Sequence, residues 1–206
     1  MNQDLLSIDR AFTQQYRRLL DIQKGIKTQM ETYPFDLSKV EITDAIVDRM
    51  DAFWYFHVNN NKELLNRKIN TVASDFFTET CLLFLKCYFE YKHKLEVSSE
   101  RSIIKSKNAI RPDISIWKDS QIVAIIELKV NDGWKRKTIM QHLEDRESQI
   151  KKDFPKVFFG VIAFWNFFDK SLNGWNTKYI GIKEWTGNCR TEASVENLIL
   201  GIEKYI

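Results

Sequence analysis

Three ionisable side chains stand where a sheet normally buries apolar ones. In IRPDISIWKDSQIVAIIELKV, from Ile110 to Val130, Asp113 opens one strand-like run, and Glu127 and Lys129 sit late in the next. A charge buried without a partner costs several kcal/mol, so these residues need one another or a ligand. If the runs pair as an antiparallel hairpin around Asp119 and Ser120, directly opposed residues share a face. The register that sets Asp113 opposite Glu127 puts Ile114, Ile116, Ala124, Ile126, Leu128 and Val130 on one face. The other face then carries Asp113, Ser115, Trp117, Val123, Ile125, Glu127 and Lys129. A slip of one residue would set Asp113 against Ile126 on the apolar face, which is far costlier.

Two carboxylates this close repel each other unless a cation sits between them. Hard divalent cations prefer oxygen ligands, and magnesium takes one or two carboxylates while keeping several waters. Lys129, on the same face, can contact a phosphate or a metal-bound water. The set suits hydrolysis of a phosphodiester, in which a metal acidifies water and neutralises charge on the transition state. The bland alternative is a surface ion pair of Lys129 with Glu127 or Asp113, and the apolar neighbours Ile125, Ile126 and Val130 weaken it. Basic residues flank the set on both sides. Lys105, Lys107 and Arg111 precede Asp113, while Lys135 and Arg136 follow Lys129, and these can bind phosphates.

The surrounding elements follow from hydrophobic period. Leu5, Ile8, Phe12, Leu19, Ile22 and Ile26 mark one face of a first helix that stops before Pro34, with near-heptad spacing. A second helix starts after the N-cap candidate Thr43, carries Ile46, Met50, Phe53 and His57, and ends near Asn59 to Asn61. A third, apolar on most sides and therefore central, begins at about Lys62 or Asn70 and runs to Lys92. KLEVSSERSII reads as a strand and is followed by the hairpin. A helix from about Lys135 to Asp153 aligns Ile139, Leu143, Ile150 and Phe154, and Pro155 ends it. KVFFGVIAFW is a buried strand, followed by a short strand near 178–185 and a helix over 193–205. The reading is an α/β fold with an N-terminal helical extension over residues 1–66 and a core over 67–206.

Pro112-Asp113 followed by Glu127-Leu128-Lys129 resembles the PD-(D/E)XK nuclease superfamily, to which restriction endonucleases, several repair nucleases and junction resolvases belong. The resemblance implies a restriction-endonuclease-like core, α-β-β-β-α-β, with a mixed central sheet flanked by helices. It implies metal binding by Asp113 and Glu127, helped by the Leu128 carbonyl, and water activation or phosphate contact by Lys129. It further implies a Glu from the preceding helix, for which Glu79 is the candidate, and a site residue on the following helix, for which Gln141 is the candidate. The cofactor would be Mg2+, with Mn2+ as a substitute, and the products would carry 5′-phosphate and 3′-hydroxyl ends.

Composition narrows the partners. Net charge is only +3, so nucleic acid must be met by local patches rather than by a general polycation. Cys81, Cys87 and Cys189 form neither a CxxC pair nor an even set, which argues against a disulfide framework or zinc cluster and for a reducing, cytoplasmic setting. The opening MNQDLLSIDR does not resemble a signal peptide, and the longest apolar run, Val157 to Trp165, is too short to span a bilayer as a helix. No phosphate-binding GxxxxGK[ST] loop occurs, which argues against ATP hydrolysis. The expected activity is a magnesium-dependent DNA endonuclease, with a homodimer formed through the N-terminal helices. The alternatives are a non-catalytic nucleic-acid-binding module on the same fold, or a nuclease acting on RNA or branched DNA.

Overall fold

The computed structural model describes residues 4–69, 71–103, 110–130 and 138–206. The chain divides into two compact units, one ending at Phe35 and one running from Asp36 to Ile206. The first holds a long helix, α1 (Leu5–Met30), whose N-terminus is capped by the Asp4 carboxylate accepting from the Ser7 amide at 2.7 Å. Its stripe of Leu5, Ile8, Phe12, Leu19 and Ile22 is solvent-exposed.

The second unit opens with α2 (Glu41–Trp54), which widens into a π-helical segment (Tyr55–Asn60) and a single turn, α3 (Asn61–Leu64). The sequence reading groups α2 with the extension to residue 66. In the structure α2 buries Ile42, Ile46, Val47 and Met50 and belongs to the unit that begins at Asp36. Thr43 is not the N-cap of α2. It lies inside the first turn, fully buried, because the cap comes from elsewhere in the chain. The Glu196 carboxylate accepts from the Ile42 and Thr43 amides at 2.7 and 3.0 Å, and from the Thr43 hydroxyl. The Thr43 hydroxyl oxygen in turn accepts from the Val195 amide at 2.8 Å.

Next come α4 (Ser74–Lys92), β1 (Glu96–Ser99), β2 (Ile114–Lys118), β3 (Gln121–Lys129), α5 (Ile139–Asp153), β4 (Phe158–Trp165), β5 (Tyr179–Lys183) and α6 (Val195–Glu203). The order from α4 to β4 is the helix, three strands, helix and strand read from the sequence. Among the described residues five strands form one mixed sheet in the order β1-β2-β3-β4-β5. The first three pair antiparallel, and β4 and β5 run parallel to β3. A parallel neighbour needs a crossover, and α5 lies within the connection from β3 to β4.

Both faces of the sheet are covered, which explains the unbroken apolar runs of β3 and β4. On one face Ile125, Phe159, Val161 and Ala163 form a buried cluster with Leu143 and Ile150 of α5, as the helix period predicts. On the other, Phe164 meets Phe77 of α4 edge to face, with ring centroids 5.9 Å apart. Gly160 lets α6 approach closely, since a Cβ there would lie 2.9 Å from Leu198 Cδ1. The described part of α5 starts at Ile139, and residues 131–137 lie outside the described set. Among the described residues no helix is long and apolar enough to cross a membrane. Cys81 and Cys87 are buried, Cys189 is exposed, and all three are free thiols.

Candidate functional site

The site depends on how the hairpin closes. Asp119 and Ser120 both take positive φ, 48° and 67°, and the pair Lys118–Gln121 closes a two-residue turn. Continued without interruption, that pairing would set Asp113 against Ile126, the costly register. A β-bulge prevents it. Trp117 pairs with Ile122 but Ile116 pairs with Ala124, so Val123 is an extra residue on β3. Beyond the bulge Ile114 faces Ile126, the last pair of the ladder, and the same register carried one step further sets Asp113 opposite Glu127. The paired residues from Ile114 to Ile116 thus follow the register expected from the polarity argument, and the bulge is the device that reconciles it with the turn.

Asp113 is pinned from two directions. Its Oδ2 accepts from the Leu128 amide at 2.6 Å, and its carbonyl accepts from the Ser99 hydroxyl at 2.8 Å. The Lys129 ammonium lies 3.6 Å from Asp113 Oδ2 and 3.4 Å from Glu127 Oε2, and it donates to the Leu128 carbonyl at 3.0 Å. The cation required by two crowded carboxylates is thus this lysine. Glu127 is the most enclosed member, only 8% exposed.

Arg146, on α5, was not singled out in the sequence. Its Nε donates to Glu127 Oε1 at 3.3 Å and its Nη2 to the Arg111 carbonyl at 3.4 Å. Among the described residues two carboxylates then meet two cations. The helix carrying Arg146 is anchored by its neighbour Glu147, which pairs with Lys151 and Lys178. Partial burial would raise the Glu147 pKa, but these two lysines outweigh it and hold the carboxyl below its usual range. An arginine at the end of the second turn of α5 carries no sequence signal of its own. Only the fold aims it at Glu127.

The other expected site residues fall differently. Glu79 is on α4 and exposed, and among the described residues no three His, Cys, Asp or Glu side chains converge as a metal-ligand group. Gln141 turns to its own helix, donating to Asp145 at 2.9 Å. Arg111 is exposed beside Asp113 and contributes its carbonyl to Arg146. Lys105, Lys107, Lys135 and Arg136 lie outside the described residues.

The donors nonetheless suit a hard cation. Asp113, Glu127 and the Leu128 carbonyl present oxygen only, and all three reach the same ammonium. No protein-family model matches the chain, and neither the curated proteins nor the solved structures give a significant match.

Proposed function

We propose that the chain is a metal-dependent nuclease of the PD-(D/E)XK type, acting on DNA as an endonuclease. The observation that carries this reading is the convergence of Asp113, Glu127 and Lys129 at one end of β2 and β3, in a register held by a dedicated bulge. The order α4-β1-β2-β3-α5-β4, with β4 parallel to β3, supports a restriction-endonuclease-like core.

In this reading Asp113, Glu127 and the Leu128 carbonyl would hold Mg2+, with Mn2+ as a substitute. A bound divalent cation supplies a more acidic water and neutralises charge on the phosphoryl oxygens. The Leu128 amide fixes the Asp113 carboxylate, and Arg146 fixes that of Glu127, so both are oriented in advance. Lys129, charged and held between them, offers N–H donors to a phosphate oxygen or to the attacking water. The test is incubation with supercoiled plasmid, with and without magnesium. Nicking or linearisation that needs the metal supports the reading. Failure to cut duplex, single-stranded or branched DNA, or RNA, with either metal, would leave the non-catalytic binding module in its place.

The α1 stripe supports a homodimer. Leu5, Phe12, Leu19 and Ile26 recur at seven-residue steps, the spacing of a helix-pairing seam, and a lone helix of 26 residues gains most of its stability from packing. Light scattering at micromolar concentration checks this, and a strict monomer would refute it.

A further inference from the structure

The ion pairs around the two carboxylates are long. Lys129 stands 3.4 Å from Glu127 Oε2 and 3.6 Å from Asp113 Oδ2, and Arg146 Nε stands 3.3 Å from Glu127 Oε1. A charge-assisted N–H···O contact usually settles at about 2.7 to 2.9 Å. One residue further along α5, Glu147 meets Lys151 at 2.6 Å, and Arg101 meets Glu96 at 2.8 Å. Lys129 and Arg146 therefore face Asp113 and Glu127 without the short bonds that the chain makes elsewhere.

Arg146 also has donors to spare. Its Nε serves Glu127, its Nη2 reaches the Arg111 carbonyl at 3.4 Å, and its Nη1 meets no acceptor among the described residues. A guanidinium is a planar fork that fits two oxygens of one anion, and it stays charged at any working pH. The side chain is 30% exposed, so an anion from solvent can reach it.

The charges couple two ligands. Asp113 and Glu127 already face two cations, so a divalent ion arriving alone would meet both of them across the oxygens it needs. Like charges this close repel strongly at a part-buried site. A phosphodiester supplies the negative charge that draws the cations off the carboxylates.

We infer that Arg146 is a substrate-phosphate residue, which exchanges Glu127 for a phosphodiester as the carboxylates take the metal, so that metal and nucleic acid each tighten the binding of the other. The inference rests on the nuclease reading for the metal and the substrate class. Such coupling is reciprocal. Whatever factor nucleic acid adds to metal affinity, metal adds to nucleic-acid affinity.

Calorimetry of the full chain with Ca2+, alone and with a short duplex oligonucleotide, reads the coupling. Ca2+ is a hard cation that takes oxygen ligands, and a gel of the recovered duplex checks that it stays uncut. Wild type should bind Ca2+ about tenfold tighter with the duplex than without it. Fluorescence anisotropy of the labelled duplex, in Ca2+ against EDTA, should show the same factor. Arg146→Ala should bind Ca2+ alone severalfold tighter than wild type and lose most of the gain on adding duplex. Arg146→Lys keeps the charge without the fork, so it should bind Ca2+ alone as weakly as wild type and recover only part of the gain. Unchanged melting temperatures for both variants keep misfolding out of the comparison. If Arg146 only orients Glu127, Arg146→Ala weakens Ca2+ binding and keeps the full gain, which overturns the inference. Equal Ca2+ affinity with and without duplex in wild type, or no Ca2+ binding by it, overturns it too. The nuclease reading fails separately. Coupling without Mg2+- or Mn2+-dependent cleavage leaves Arg146 in this role on a binding module, and cleavage without coupling leaves the nuclease without it.

Discussion

Two buried glutamates, Glu127 and Glu196, do opposite things. Glu196 is 1% exposed and its partners are fixed protein donors, the Ile42 and Thr43 amides and the Thr43 hydroxyl. Every donor is already committed to it, and it stands at the N-terminus of α2, where a negative charge is favoured. Glu127 is nearly as enclosed, but it is met by the ends of Lys129 and Arg146, two long side chains that are each about 30% exposed. In the nuclease reading those cations would move aside and give up the carboxylate to a metal ion. Burial of an acid is therefore no sign of chemistry. What sets the two sites apart is the exposure of their partners.

The contrast can be broken by mutation. Glu196→Ala leaves two amides and a hydroxyl without an acceptor and should lower stability by about 3 to 5 kcal/mol. Glu127→Gln should change stability by no more than about 1 kcal/mol, because its partners return to solvent. Urea denaturation of both variants decides, and equal losses would erase the distinction.

Lys129→Ala tests the chemical side. The ammonium is not a metal ligand while protonated, so metal binding should persist while turnover falls about a hundredfold or more. Cleavage as fast as wild type would remove the role assigned to this lysine. Arg146→Ala should have the smallest effect. Losing a competing cation should tighten magnesium binding severalfold, while a less well-oriented Glu127 lowers turnover about tenfold. Calorimetry and cleavage rates together separate these outcomes. Weaker magnesium binding would show that Arg146 supports the site by some other route.

How much of this was legible beforehand follows from what is local. Alternation and helix period are local, so β2 to β4, α4 and α5 could be read from the chain. The Asp113–Glu127 register could be read as well, because only one choice keeps charge off the apolar face. The bulge at Val123 could not, since nothing in IVAI distinguishes an extra residue from its neighbours. The cap of α2 could not be read, since its source, Glu196, lies 154 residues from Ile42 and Thr43 only has the residue type of a cap. Arg146 is illegible for the same reason, since it meets Glu127 only after α5 has crossed back over the sheet. The π-helical segment likewise carries no local signal that sets it apart from the end of α2.

The central claim is that Asp113 and Glu127 form a cation site rather than a closed ion-pair cluster. A calorimetric magnesium titration of wild type against Asp113→Asn tests it most directly. Asp113→Asn removes a full ligand charge but keeps an oxygen that can accept from the Leu128 amide, so the fold should hold. Wild type should show saturable binding that Asp113→Asn loses. A flat wild-type titration, or equal binding by both proteins, would contradict the account.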